Sequence, residues 1–593
     1  MKIVIFSGGT GSVGLQRGLY KVFGPDCLDY SVIINCYDNG KSTGTCRQVF
    51  DGKILGPSDL RKNQLLRHEL SHGNNKLLEF LEQRLTFSYS DIEDAITDQL
   101  VDLLDKNDEH ELDLYSICME GTQLFFNSEN ATNVEYKDFS VANIIYSGLA
   151  SKYGMNGAAK QMSRVLGIYP DDVICNDDTS LFLQAKTKSG HIISDEGDLV
   201  EWNNAEDKIT ECFLLDVDGN QATPILTTEC KDLIDNADVL IFSSGTQWSS
   251  LIPTYMSIGF TEAISKSKAK KYVVLNTSQD KDIKGLSGLE LLDLITTHLK
   301  VDTKTLIPVI SSNASDDILI TPDQVEQVKQ KFADVVYSEM SEGNKHNPNK
   351  LVLSIFGNYF GIKTILDRNN LVFDLDDTVI ARNLNFEWIS RENCAMFDFI
   401  NRSNKLSLFI CTGNDVSKLK GHFETSINTF ADGGVNEYLV SKENITFIKH
   451  LDNDMLIEKS TMETLIELLD VHGIPKHMIQ NRNNSILSIR PILPEYRYSI
   501  FNLIFYILII NNLNDRIEVK MTGNSTVELS TISLSKTVIM NTIFKDKEIS
   551  YVGDEPIGND KDMFSNPKIH GIKVKGAFDT NMLLKILCIH SLS

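Results

Sequence analysis

The stretch Leu371-Val-Phe-Asp-Leu-Asp-Asp-Thr378 constrains the fold of this chain more than any other. An apolar run leads directly into Asp374, Asp376 and Asp377. A short run without polar alternation reads as a strand buried on both faces, as in a parallel sheet. Its acidic end marks the carboxyl edge, where α/β sheets place their chemistry. Asp374 and Asp376 lie two apart, so on extended backbone both point to one face. Their repulsion needs a cation or a shared proton to offset it. A strand followed by an acidic turn is the other reading of these residues taken alone.

The same strand-then-loop pattern runs through the chain twice. Residues 2–6, 31–36, 239–242 and 272–275 read as buried strands, each followed by loop and helix signals, which argues for a largely parallel sheet. Residues 181–201 read as strands joined at Lys188-Ser-Gly190. The polar, breaker-rich residues 341–350 are the linker candidate. A second set of strands follows near 371–373, 408–411 and 549–552. The expected architecture is α/β, with two Rossmann-like three-layer domains. Residues 1–340 form the first, 341–367 the linker and 368–593 the second, with an inserted α+β cap over about 425–530.

With 593 residues, several domains are expected, and a formal charge of -24 argues against broad binding to nucleic acid or an anionic membrane. An anionic substrate must be held by local donors, a metal or helix N-termini. The ten cysteines have no C-x-x-C pair or zinc spacing, so neither a disulfide framework nor a zinc site is expected. Met1 leads straight into a strand without room for a signal peptide, and the apolar run 498–510 is too short to span a bilayer. The expected setting is a reducing cytoplasm.

Three further signals follow the Asp374 strand in order: Thr412-Gly413-Asn414-Asp415 after an apolar run, Ser535-Lys536, and Gly553-Asp554-Glu555 with Gly558-Asn559-Asp560. Phosphoester cleavage needs a nucleophile, shielding of the phosphoryl oxygens and protonation of the leaving group. Asp374 can attack phosphorus to give an aspartyl-phosphate, and Asp376 can protonate the leaving oxygen and then activate water. Thr412 and Lys536 can hold phosphoryl oxygens. Asp374, Asp376, Asp554 and Asp560 are the candidate ligands of Mg²⁺, which prefers oxygen. Lys536 read alone could instead be a solvated helix residue. These motifs resemble the haloacid dehalogenase superfamily over about residues 368–593, and the gap holding Ala431-Asp-Gly-Gly434 resembles its large C2-type cap. Glu555-Pro-Ile-Gly spaces the last motif more widely than the common form.

Near the N-terminus, Gly9, Gly11 and Gly14 satisfy the G-x-G-x-x-G dinucleotide pattern between a strand and a helix, with Asp38 after the next strand. Such glycines let backbone N–H groups approach a phosphate. The surrounding loops are Asp38-Asn-Gly-Lys-Ser-Thr-Gly44, Leu55-Gly-Pro-Ser-Asp59-Leu-Arg61, Asp138-Phe-Ser140-Val-Ala-Asn143, Asn176-Asp177-Asp178 and Ser243-Ser-Gly245-Thr246-Gln-Trp-Ser249-Ser250. In this order they resemble the family uniting 2-phospho-L-lactate transferase with the gluconeogenesis-factor proteins, over about residues 1–320. That resemblance implies nucleotide and diphosphate contacts at Gly9, Thr10, Gly11, Asn143, Gly245, Thr246, Ser249 and Ser250, with Ser42 and Arg61 near the phosphates. It makes Asp38 the metal-holding or acceptor-activating carboxylate. The chain departs from the family pattern at Asn39, Lys41 and Ala142. Asn143 also reads as a cap or core amide, Asp59 as an N-cap or turn residue, and Trp248 as packing.

The leading expectation is a bifunctional enzyme. The N-terminal half would transfer a phosphorylated group from a GDP- or UDP-type donor to a hydroxyl acceptor. The C-terminal half would be an Mg²⁺-dependent phosphatase acting on a phosphorylated small molecule. A nucleotide-sugar sensor attached to a phosphatase and a redox Rossmann domain are the alternatives. Members of both families often form dimers, which makes a homodimer the expectation.

Overall fold

A computed structural model of the chain describes residues 1–25, 29–85, 89–103, 109–136, 139–382, 387–490, 492–522, 525–557 and 560–592. The chain divides into two compact units, Met1–Phe356 and Gly357–Ser593. Asp138, Gly558 and Asn559, quoted in the motifs above, lie outside the described residues.

The first unit is built on a seven-stranded sheet. Its spatial order is Val336–Ser338, Leu306–Ser311, Lys270–Val274, Val239–Phe242, Lys2–Ser7, Asp29–Ile34 and Val173–Cys175. Every neighbouring pair is parallel. Ile3, Val4, Ile5 and Phe6 are buried, as are Val239 to Phe242, which is why these strands read as unbroken apolar runs. The chain fills the sheet outward from Lys2–Ser7 on one side, then returns to add Val239–Phe242 on the other. The direction of winding therefore switches between these two strands, and their carboxyl ends open the crevice that α/β sheets use for ligands. Helices start where their sequences announce them. Ser287 with Glu290, and Thr321 with Gln324, form reciprocal capping boxes at the starts of Gly288–Leu299 and Pro322–Lys331.

Residues 181–201 differ from expectation in their second half. Phe182–Thr187 pairs with Ile192–Ile193 in a four-stranded antiparallel sheet, but Glu196–Glu201 is a helix whose N-cap Asp195 accepts from the Gly197 N–H. Residues 341–350 are not a bare linker. Ser341–Glu342 pairs antiparallel with Lys345–His346, and the Asn344 carbonyl accepts from the Thr277 and Ser278 hydroxyls. The helix Pro348–Phe360 follows, with Leu351, Val352, Ile355 and Phe356 buried and Phe356 edge-on to Phe23. The breakers seen in the sequence mark the turn of a ribbon.

The second unit carries its own seven-stranded sheet, in the order Ile445–His450, Asn436–Val440, Ile427–Ala431, Ser407–Cys411, Asn370–Phe373, Ile549–Gly553 and Ile569–Lys573. The central strands are parallel, and Asn436–Val440 and Ile445–His450 extend the sheet antiparallel. Residues 427–450, expected in the cap, thus belong to the core sheet, because Ile427–Ala431 pairs directly with Ser407–Cys411. The inserted part is a separate four-stranded antiparallel sheet packed by Lys459–Val471 and Pro494–Ile510. It has its own core of Leu465, Leu469, Leu487, Ile489, Ile504, Leu508, Val527 and Leu529. Among the described residues, no helix is long and apolar enough to cross a membrane.

In the first unit, helices Glu109–Phe126 and Val141–Leu166 cross at glycines: a Cβ on Gly148 would sit 1.8 Å from the Gly121 carbonyl oxygen. The Gly148→Ala substitution is expected to destabilise this unit by about 1–3 kcal/mol, since backbone on the facing helix cannot yield as a side chain can. Urea unfolding followed by circular dichroism measures the shift.

Candidate active site in each unit

In the C-terminal unit, the register Phe373 beside Ile410 and Val552 brings three strand ends to one edge. Asp374, Thr412 and Asp554 leave these ends side by side. Lys536 precedes the short helix Val538–Thr542 and is buried rather than solvated. Its Nζ donates to Asp374 Oδ1 at 2.6 Å and to Asp560 Oδ1 at 2.7 Å. Tyr551, inside the strand Ile549–Gly553, donates its hydroxyl to the same Asp560 oxygen at 2.7 Å. Sequence reading missed this tyrosine, because an aromatic within an apolar strand reads as core.

Burial pushes the Asp374 carboxyl up to about 7, against the pull of Lys536 and with the repulsion of Asp560 added. Burial opposes the Lys536 charge, but Asp374 and Asp560 outweigh it and hold the lysine protonated. Asp554 is raised to about 6, mainly by burial.

Asp374, Asp554 and Asp560 each offer an oxygen, and these oxygens lie within 4.8 Å of one another. Asp560 Oδ2 is buried without a hydrogen-bond partner. Three carboxylates with an unsatisfied oxygen fit a hard divalent cation such as Mg²⁺. Asp376, expected among the ligands, stands outside this group: its Oδ2 accepts from Asn414 Nδ2 and its Oδ1 pairs with Lys418 Nζ at 3.3 Å. The Thr412 hydroxyl accepts from the Asn414 N–H at 2.9 Å.

In the N-terminal unit, the loops after Lys2–Ser7 and Val239–Phe242 meet at the switch crevice. A Cβ on Gly11 would lie 2.3 Å from the Ser244 carbonyl oxygen, and one on Gly9 would lie 2.1 Å from Asp59 Oδ1. The glycines are therefore demanded first by protein atoms. Gly9 donates its N–H to Asp59, which is also paired with Lys62 at 3.3 Å. Thr10 is exposed. Gly245 stands at φ 144, and its carbonyl accepts from Gln247 and Asn276. The Thr246 and Ser250 hydroxyls bond each other at 2.7 Å, while Ser249 Oγ is buried without a partner.

The helical turn Gln247–Leu251, expected to receive an anion, already has one: Asp282 accepts the Trp248 N–H at 2.9 Å and also the Ser249 N–H. Burial pushes this carboxyl up to about 7. Trp248 is buried edge-on to His298, as packing requires.

Arg61, Asn143 and Ser42, expected near the phosphates, come together. Arg61 Nε donates to Asn143 Oδ1 at 2.5 Å, and Asn143 Nδ2 donates to Ser42 Oγ at 3.4 Å. Asn143 is thus more than a helix-start amide, although its N–H is also taken by the N-cap Ser140. Asp38 accepts the Gly40 N–H at 2.9 Å. Glu196, which the sequence did not flag, is buried against it, and burial together with Asp38 and Asp59 pushes it up to about 9. Among the described residues, Asp38 joins no trio of ligand atoms close enough to share a metal.

Lys536 is the cation on which the second site balances. Replacing it with Met leaves Asp374 and Asp560 buried and uncompensated, which is expected to cost the C-terminal unit about 3–5 kcal/mol at pH 8. Asp374 has its folded-state value raised, so the folded site holds a proton that the unfolded chain has released between about 4 and 7. The stability of that site therefore rises as pH falls through 7, and the deficit of Lys536→Met is expected to shrink by pH 5.5. Urea titrations of both proteins at the two pH values measure it.

Comparison with known proteins places the first unit. Residues 3–354 match the family model described as 2-phospho-L-lactate transferase CofD. A gluconeogenesis factor of Halalkalibacterium halodurans is 24% identical over 334 residues, covering 56% of this chain and 81% of that protein. The Bacillus subtilis gluconeogenesis factor is 24% identical over 319 residues, covering 54% and 81%. Among solved structures, a UPF0052 family protein from Bacillus halodurans aligns with a TM-score of 0.44 at 19% identity, covering 60% of this chain and 98% of that one. A trehalose-6-phosphate phosphatase related protein aligns with a TM-score of 0.29 at 13% identity, covering 38% and 98%. On the family match over more than half its length, this chain belongs to the 2-phospho-L-lactate transferase CofD family.

Proposed function

We propose that the chain is a bifunctional enzyme, a phosphate-monoester hydrolase in its C-terminal unit and a phospho-group transferase in its N-terminal unit. The observation that carries the hydrolase reading is the buried Asp374–Lys536–Asp560 arrangement at the strand ends. Asp374 attacks phosphorus, the ester oxygen leaves with a proton from Asp376, and an aspartyl-phosphate remains. Water then attacks phosphorus, gives its proton to Asp376, and the bond to Asp374 breaks to release orthophosphate. Lys536 and Thr412 would donate to the phosphoryl oxygens. Asp374, Asp554 and Asp560 would hold Mg²⁺, which when bound neutralises phosphoryl charge.

In the first unit, family membership and the Ser42–Asn143–Arg61 chain support transfer from a nucleoside-diphosphate-linked donor. The acceptor hydroxyl oxygen bonds to the donor's distal phosphorus, its proton passes to Asp38, and the nucleoside monophosphate leaves. A second reading has its own support. Relatives named gluconeogenesis factors, together with Asn39 replacing an acid, favour a nucleotide-sugar sensor that regulates the attached phosphatase. A cytoplasmic setting and a homodimer belong to the proposal as well.

Asp374→Asn is expected to abolish Mg²⁺-dependent hydrolysis of an aryl phosphate while leaving nucleotide-induced thermal stabilisation of the full chain unchanged. Residual wild-type hydrolysis removes Asp374 as nucleophile. For the first unit, GDP, UDP, UDP-sugars and NAD are compared in the same thermal assay. Stabilisation by NAD alone contradicts the transferase reading. A UDP-sugar that alters the phosphatase rate without being consumed decides for the sensor.

A further inference from the structure

Lys418 reaches the second site from a place that no motif marks. It sits on the short turn Val416–Leu419, whose Val416 and Leu419 are buried and whose start is capped by Asp415, accepting the Ser417 N–H at 2.7 Å. These anchors fix the backbone and send the lysine stem toward the strand ends. Its Nζ meets Asp376 Oδ1 at 3.3 Å, with both side chains partly shielded, at 29% and 17% exposure. The other oxygen of Asp376 accepts from Asn414 Nδ2. A carboxylate gripped at each oxygen by a different N–H donor has its rotation about the last side-chain bond fixed.

Asn414 is itself held, because its N–H donates to the Thr412 hydroxyl and its carbonyl accepts from the Asp432 N–H at 3.2 Å. Beside it, a Cβ on Gly413 would meet no atom within 4 Å.

We infer that Lys418 is a positioning residue for the hydrolysis of the aspartyl-phosphate, acting with Asn414 to aim the Asp376 carboxylate at the attacking water. The inference rests on the phosphatase reading above. In this step the water oxygen bonds to phosphorus, the water proton passes to Asp376, and the phosphorus–oxygen bond to Asp374 breaks with its electrons returning to that carboxylate. Orthophosphate leaves. Formation of the aspartyl-phosphate from an ester with a good leaving group needs little help from Asp376, so a misaimed carboxylate slows the second step selectively. Loss of aim in a general base costs about tenfold or more in rate.

The test uses the full chain with p-nitrophenyl phosphate in Mg²⁺ buffer, comparing wild type, Lys418→Met and Lys418→Arg by rapid mixing. Lys418→Met is expected to lower kcat about tenfold or more and to release a burst of nitrophenol near one equivalent per chain before the slow steady state. KM is expected to fall with kcat, as it does when a covalent intermediate accumulates. Lys418→Arg, which keeps a donor at that reach, is expected to recover most of kcat and lose the burst. A Lys418→Met enzyme with unchanged kcat, or with reduced kcat and no burst, overturns the inference. If Asp374→Asn also retains hydrolysis, the phosphatase reading itself has failed. If Asp374→Asn is inactive while Lys418→Met is unaffected, only the role of Lys418 has.

Discussion

One buried lysine organises the C-terminal unit. Lys536 joins Asp374 and Asp560, which would otherwise face each other across a dry strand edge. Tyr551 adds a donor to the shared Asp560 oxygen, leaving the other oxygen of that carboxylate unsatisfied. A buried charge cluster of this kind is poor at stabilising a fold and good at fixing groups for chemistry. The sheet provides the frame: three parallel strands end in register, so residues far apart in sequence meet without long side chains. Thr412, Asn414 and Lys418 belong to the same frame, since all follow the strand Ser407–Cys411.

The first unit solves a related problem with small residues rather than charge. Its two crevice loops approach so closely that Gly11 and Gly245 stack backbone on backbone, and Gly9 accommodates the Asp59 carboxylate. Three of its anion-receiving N–H groups, those of Gly9, Trp248 and Ser249, are occupied by the protein's own acids, Asp59 and Asp282. On the proposed transferase reading, a phosphate would be met mainly by Arg61, Ser42, Asn143 and the hydroxyls near Ser250. Glu196 is buried beside Asp38 and its carboxyl is pushed up to about 9, which leaves Asp38 as the carboxylate that, on the same reading, would take the proton of a hydroxyl acceptor.

What was legible in the sequence follows from how each feature is encoded. Buried parallel strands are continuous apolar runs, and their acidic ends announce the carboxyl edge, so Asp374, Asp554 and Asp560 could be placed by inspection. Lys536 could be ordered among them but not shown to be buried. Tyr551 reads as core, and Glu196 lies on a six-residue helix inside a segment whose pattern reads as strands. Lys418 stands on a turn too short for any periodicity. The ribbon at 341–346 was hidden because its stability comes from contacts to Thr277 and Ser278, which lie outside the segment. The cap boundary was blurred for the same reason, as residues 427–450 look like any strands until their pairing with the core sheet is known. The family match bears on the first unit alone, leaving the second to be argued from its geometry.

The central claim is that Asp374 becomes covalently phosphorylated, and trapping that species tests it most directly. The full chain is mixed with a phosphate monoester in Mg²⁺ buffer, quenched in acid at successive times and digested for peptide mass mapping. A phosphoryl adduct on the peptide carrying Asp374, rising and then decaying as orthophosphate appears, is the expected result. Orthophosphate released with no adduct on that peptide at any time, under conditions where Lys418→Met also yields none, would contradict it.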